Sequence, residues 1–226
     1  TGRISAVESL MRIPESPLGP LSPAEFIPIA EETGLIVAMT WQILRQICAV
    51  MVRLQENGVT LPAVHINFSA VQLVQPQLAE KVLQTLRECQ VAPEQIIIEI
   101  TETALAENPE ETTRFARTMM EQGVRIEMDD FGTGYSSLDM LREIPADEIK
   151  FDRKFLINFE DGARGKTIFR HIINMAKELN LEIICEGVET QKQYENIKDI
   201  GCDSIQGFYF SEPLEDSEFE KIMLPH

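Results

Sequence analysis

Hydrophobic and polar positions along the chain fall into two alternating styles. Short β-rich runs read as strands: "ISAVESLMRI" (4–13), "VHINFSA" (64–70), "IIIEIT" (96–101), "RIEMDD" (125–130), "DEIKFD" (147–152), "EIICEG" (182–187) and "IQGFYF" (205–210). Longer stretches between them carry helix signals. "SPAEFIPIAEETG" places Ser22 as N-cap, Pro23 at the first helical position, Glu25 at the third and Gly34 beyond the end. "AVQLVQPQLAEKVLQTLREC", "PEETTRFARTMMEQG" and "GKTIFRHIINMAKELN" follow the same style. The repeated β-then-α order, without an Asn-Gly hairpin signal, predicts parallel strands joined by helical crossovers. No linker or repeat divides the 226 residues, so a single domain is expected. Seven strands are one short of a (β/α)₈ barrel, and one strand is expected upstream of Thr1. An open doubly wound sheet is the alternative.

Period two also sorts the side chains. Glu8, Leu10 and Arg12 share one face of the first strand, and His65 and Asn67 one face of the second. Glu99 comes near the end of the third strand and Asp129 near the end of the fourth. Lys150 and Asp152 share a face on the fifth, Glu186 ends the sixth, and Gln206 opens the seventh. A charged side chain inside a strand is costly unless paired or metal-bound. One such residue could be a core ion pair; a polar group on each of six strands points to a site at their carboxyl ends. The donors Glu8, Asn67, Glu99, Asp129, Asp130 and Glu186 are all oxygen ligands, which favours Mg²⁺ or Mn²⁺ over zinc. Adjacent aspartates suit two ions about 3.5–4 Å apart, which clamp a phosphate and activate water for in-line attack.

Charge and cysteine content narrow the options. The formal charge of -17 argues against nucleic-acid or anionic-membrane binding, yet allows an anionic ligand held through metal ions. No uninterrupted apolar run approaches the ~18 residues that cross a bilayer, and "LIVAMTWQILRQICAVMVRL" reads as a buried helix. No signal peptide is visible. Cys48, Cys89, Cys185 and Cys202 have no zinc spacing and are expected as reduced thiols. His65 and His171 read as core or helix-face histidines.

The ordered motifs "ESLMR" (8–12), "SPAEFIPIAEETGLI", "INFSAVQL", "IEITET", "DDFGTGYSSL", "DEIKFD", "CEGVET" and "GCDSIQGFYFSEPL" resemble the EAL-domain family of cyclic di-GMP phosphodiesterases, from about Gly2 to Pro213. The resemblance implies a TIM-like (β/α)₈ barrel of the EAL type whose first strand is missing here. Residues 1–226 would then be one such domain, excised from a longer multidomain protein. It implies hydrolysis of cyclic di-GMP to linear pGpG by metal-activated water, with two Mg²⁺ or Mn²⁺ ions. Glu8, Asn67, Glu99 and Asp129 fall on one ion's ligands, and Asp129, Asp130 and Glu186 on the second ion's side. Lys150 matches the lysine that holds the attacking water, and Glu186 a proposed general base. Leu10, Arg12, Asp152, Glu189, Gln206 and Pro213 fall on substrate-side positions, with Arg12 suited to a phosphate. Glu102 matches the residue that anchors the loop "FGTGYSSL", which in the family couples a dimer interface to metal binding. A homodimer, an upstream regulatory or diguanylate cyclase (GGDEF) domain, no direct DNA binding and a cytoplasmic setting, free or membrane-anchored, are implied as well.

This chain departs from the family pattern at Ser9 for alanine, Ile13 for the frequent tryptophan, and Glu127 where a small or apolar residue is common. Glu127 shares Asp129's parity and is either behind the site or solvated. Two other functions compete: a silent cyclic di-GMP receptor, and a glycoside hydrolase using paired carboxylates. Intact metal-ligand positions disfavour the first, and one Trp with three Tyr leaves few sugar-stacking platforms for the second.

Overall fold

Parallel pairing runs unbroken through one sheet. The computed structural model describes residues 3–13, 16–17, 19–132, 141, 145–153, 163–198 and 200–224. Within them lie β1 (Ala6–Ser9), β2 (Ala63–Phe68), β3 (Ile96–Thr101), β4 (Arg125–Phe131), β5 (Glu148–Phe151), β6 (Glu182–Cys185) and β7 (Ser204–Ile205). The strands are all parallel, as the alternation of β and α segments predicts, and they pair in sequence order, which is the barrel arrangement and not the doubly wound one. Crossovers carry α1 (Pro23–Glu32) and α2 (Leu35–Glu56), α3 (Ala70–Leu73) and α4 (Leu78–Cys89), then α5 (Glu102–Glu107) and α6 (Pro109–Glu121). The later ones carry α7 (Ala163–Glu178) and α8 (Gln191–Lys198), and α9 (Asp216–Met223) follows β7. The sheet is curled into a barrel-type wall. The Gln206 amide, just past β7, donates to Glu8 on β1 at 2.6 Å, and the Ser5 and Ser204 hydroxyls lie 3.3 Å apart.

Strand periodicity divides the two faces. Val64, Ile66, Phe68, Ile96, Ile98, Ile100 and Ile126 pack outward against Leu44, Ile47 and Met51 of α2, Val82 and Leu86 of α4, and Phe115 and Met119 of α6. A second cluster joins Met128, Ile149, Phe151, Ile183 and Cys185 to Phe169, Ile173 and Ala176 of α7. Each fully buried Leu, Ile or Phe contributes about 1.5–3 kcal/mol, so these layers hold the helices to the wall. The opposite face is left to His65, Glu99, Glu127, Glu148 and Lys150, all buried.

Helix α1 begins as the sequence predicts: the Ser22 N–H donates to the Glu25 carboxylate at 2.9 Å and the hydroxyl at 2.7 Å. With 22 residues and an 18-residue stretch of mean hydropathy 1.7, α2 is long and apolar enough to cross a membrane. In this fold it lies against the sheet and α4, with Thr40, Leu44, Cys48 and Leu54 buried. Arg53 on α2 reaches Glu220 on the largely exposed α9 at 2.5 Å.

Three expectations need correction. The first strand ends at Ser9, so Leu10 and Arg12 leave the ladder and are exposed. The seventh has two residues rather than six, because the chain turns at Gly207: Phe210 N–H donates to the Gly207 carbonyl at 3.0 Å, and Phe208 and Phe210 face solvent. Cys185 and Cys202 form a disulfide, since pairing of β6 with β7 brings the two ends together; Cys48 and Cys89 are free. Cys185 is nevertheless buried and turned outward, as its parity predicts.

Gly207 is the close approach of this region. A Cβ there would sit 2.1 Å from the Val188 carbonyl oxygen and 2.4 Å from its nitrogen, and backbone cannot yield as a flexible side chain can. Gly207→Ala is expected to cost about 3 kcal/mol, measured as a lower urea unfolding midpoint. An unchanged midpoint would show that the turn can relax.

Candidate active site

The inward face carries a row of carboxylates that the register alone makes unavoidable. Asn67 pairs in register with Glu99, Glu99 with Glu127, and Glu127 with Glu148, on four neighbouring strands. Two like charges ~5 Å apart repel by about 3 kcal/mol at an effective dielectric of ~20. Three acids in such a row therefore require cations, and the strands supply three. Lys150 Nζ donates to Glu99 Oε1 at 2.5 Å and ion-pairs with Glu127 Oε1 at 2.8 Å. His65 Nδ1 lies 3.1 Å from Glu99 Oε1 and 3.4 Å from Glu127 Oε2. Arg125 reaches Glu148 at 2.7 Å.

Lys150 also lies 3.9 Å from Glu8 Oε2 and 4.0 Å from Asp129 Oδ1. Asn67 Nδ2 donates to Glu8 Oε1 at 2.9 Å, which leaves its carbonyl oxygen as a ligand atom. Glu8, Glu99, Glu127 and Asp129 thus surround one ammonium, and Asn67 and Gln206 hold Glu8 beside it. Charges set the protonation of the group. Burial alone would lower Lys150, but Glu99, Glu127, Asp129 and Glu8 outweigh it and hold the ammonium well above its ordinary value. Burial raises Asp129 well above the usual carboxylate range; Lys150 opposes this, while Glu99, Glu127 and Asp130 add to it. Burial also pushes Glu186 up to about 7, against Lys150 and helped by Glu8, Glu99 and Asp152. These acids sit where a further positive charge would be strongly favoured.

Asp129 and Asp130 are separated by a break in the ladder. The β4–β5 register shifts between Met128 and Phe131, and Asp130 takes a left-handed φ of 58° while its N–H donates to Asp129 Oδ1 at 2.7 Å. Simple alternation would send the second aspartate to the opposite face; the bulge re-aims the chain there. Glu102, buried at the start of α5, accepts the Gly132 N–H at 3.0 Å. The rest of "FGTGYSSL", from Thr133 onward, lies outside the described residues.

The remaining residues singled out by sequence lie farther out. Arg12 is exposed and donates to the Met11 carbonyl at 2.9 Å, Leu10 is 40% exposed, and Pro213 is exposed. Asp152 is half-buried beside Glu186. Glu189 is taken by Arg153 in a two-pronged pair at 2.6 and 3.0 Å, joining the segments after β5 and β6.

Glu127 was open between a place behind the site and a solvated one, and its burial excludes solvent. The pattern signal that finds it is the same parity that finds Asp129. His65 and Glu148 follow from that rule one layer beneath Asn67 and Lys150, but only the register reveals that they meet. Ligand atoms of His65, Glu127 and Glu148 all lie within 4.8 Å of one another, so the group could hold a metal. Lys150 and Arg125 already compensate two of its three members.

Residues 1–213 match the family model described as EAL domain. The signaling protein YkoW of Bacillus subtilis is 34% identical over 224 residues, covering 98% of this chain and 28% of that protein. The bifunctional diguanylate cyclase/cyclic di-GMP phosphodiesterase MucR of Pseudomonas aeruginosa is 34% identical over 213 residues, 94% of this chain and 31% of that protein. A solved structure of the PaMucR phosphodiesterase in complex with c-di-GMP matches with a TM-score of 0.89 at 33% identity, covering 96% of this chain and 88% of that chain. The chain therefore spans less than a third of the curated relatives named here.

Stability should follow the buried charges. Burial would lower His65, but Glu127 and Glu99 raise it from 6.5 to about 9. A raised folded value means that its contribution is fully present below pH 6.5 and is lost as pH climbs through 9. At 1.36 kcal/mol per pH unit the contribution is about 3 kcal/mol. Glu148 and Glu186, pushed from 4.5 to about 7, act in the same direction at lower pH. Urea unfolding in the presence of a chelator should show stability falling between pH 6.5 and 9, with His65→Asn flattening that slope. A slope untouched by the substitution would place the effect elsewhere.

Proposed function

This chain belongs to the EAL-domain family, and from that premise we propose that it hydrolyses cyclic di-GMP to linear pGpG. The observation that carries the reading is the gathering of Glu8, Glu99 and Asp129 around Lys150, with Asn67 bonded to Glu8, at the position assigned by resemblance to the water-holding lysine. MucR, which bears the phosphodiesterase name, supports it.

The donor set fits divalent cations. All donors are oxygen, Glu99 Oε2 is buried without a hydrogen-bond partner among the described residues, and Asp129 and Glu186 are held up by burial and by neighbouring acids. Glu8, Asn67, Glu99 and Asp129 would hold one Mg²⁺ or Mn²⁺, and Asp129, Asp130 and Glu186 a second. Such ions would polarise a phosphoryl oxygen and acidify a water. The chain's own groups do the rest. Lys150 keeps a water oxygen in place with an N–H not donated to Glu99. Glu186, near 7, is suited to accept a proton at neutral pH. The water oxygen bonds to phosphorus, the bond from phosphorus to the 3′ oxygen breaks, and that oxygen takes up a proton. Arg12 is exposed, and among the described residues it donates to the adjacent Met11 carbonyl, so its planar fork suits a phosphate. Leu10, Asp152, Glu189, Gln206 and Pro213 would border the dinucleotide.

The same reading makes residues 1–226 one unit of a longer signalling protein with a regulatory or GGDEF domain upstream, working as a homodimer in a cytoplasmic setting. The span of the relatives supports the first part.

Incubation with cyclic di-GMP and Mg²⁺ or Mn²⁺, with products separated by chromatography, should give pGpG. EDTA should abolish it, and Asp129→Asn should lower it at least ~100-fold. Saturable binding of the intact dinucleotide without product would make the domain a receptor instead.

A further inference from the structure

The layer beneath the proposed metal ligands holds a group that the proposed reaction does not use. Glu127 is fully buried on β4, one inward position before Asp129. An ammonium has three N–H bonds. In Lys150 one is donated to Glu99 at 2.5 Å, and the ammonium charge pairs with Glu127 Oε1 at 2.8 Å. The carboxylates next in reach are Glu8 at 3.9 Å and Asp129 at 4.0 Å, both proposed metal ligands. His65, within 3.1 Å of Glu99 and 3.4 Å of Glu127, holds the two inner carboxylates together from below.

We propose that Glu127 is a positioning residue: it anchors the Lys150 ammonium on the inner side of the site and so keeps it from occupying Glu8 and Asp129. The inference rests on the metal-dependent reading above. With Glu127 in place, Lys150 has two inner partners, one hydrogen-bonded and one ion-paired. Without that charge, a buried ammonium left with Glu99 alone moves towards the nearest acids to recover a partner. Those acids are Asp129 and Glu8, so lysine and cation then compete for the same oxygens. Glu127 acts through Lys150 and touches neither substrate nor ion.

The test is Mn²⁺ binding followed by calorimetry, with kinetics on cyclic di-GMP alongside. Glu127→Gln keeps the side-chain volume and removes the charge. It should raise the half-saturating Mn²⁺ concentration about tenfold and lower kcat, with KM for the dinucleotide changed less than about twofold. Glu127→Asp, which keeps the charge, should give a smaller rise in the same direction, and it serves as the comparison if Glu127→Gln is too unstable to purify. In a Lys150→Met background the same substitution at 127 should shift Mn²⁺ binding less than about twofold, because the group it acts through is gone. A wild-type Mn²⁺ midpoint in Glu127→Gln overturns the proposal, and so does an equal shift with and without Lys150. Calorimetry needs no turnover. Mn²⁺ binding that follows this pattern in a protein making no pGpG would overturn the phosphodiesterase reading while upholding the role of Glu127. A wild-type protein that takes up no Mn²⁺ would overturn both.

Discussion

A buried ammonium holds this architecture to its chemistry. Lys150 is 1% exposed and meets carboxylates from β3 and β4 directly, with those from β1 and β4 just beyond. Removing a lysine from water costs several kcal/mol, which only short contacts to opposite charge can offset. The acids need it equally, because parallel register puts Glu99, Glu127 and Glu148 side by side. Neither half is tolerable alone. The outer apolar layers fix the strands closely enough for both halves to meet, so the core and the site are one problem in packing and charge.

The polar interior also explains why the site faces one end of the wall. The lower layer, His65 with Glu127 and Glu148 beside Arg125, is charge-balanced by the chain itself. Towards the carboxyl ends of the strands Glu8, Asp129, Asp130 and Glu186 outnumber the bases, since Lys150 is already shared with Glu99 and Glu127. The gradient from compensated to uncompensated carboxylate is what makes one end receptive to cations.

Much of this was legible in the residues. Alternating β and α signals predicted the parallel pairing, and period two put Asn67, Glu99, Asp129 and Lys150 on one face, because side-chain direction in a strand depends only on local geometry. Strand ends were less legible. The stop at Ser9 and the turn at Gly207 depend on contacts with remote backbone, such as Val188, that no local pattern encodes. The Cys185–Cys202 bond was missed for the same reason: a separation of 17 residues becomes contact only once β6 and β7 pair. Glu127 looked anomalous in sequence because its partners come from two other strands. The bulge at Asp130 was invisible, since neither aspartate announces a left-handed backbone.

Gln206 and Ser204 meet Glu8 and Ser5 across the two outermost strands of the sheet, β1 and β7. Every other neighbouring pair of strands is tied by backbone ladders, whereas this one is fastened by side chains. Mechanically it is a clasp. It grips one carboxylate by both oxygens: Asn67 of β2 holds Glu8 Oε1 and Gln206 holds Oε2, so the loss of either amide would release half of Glu8 and leave the pairing of β1 with β2 intact.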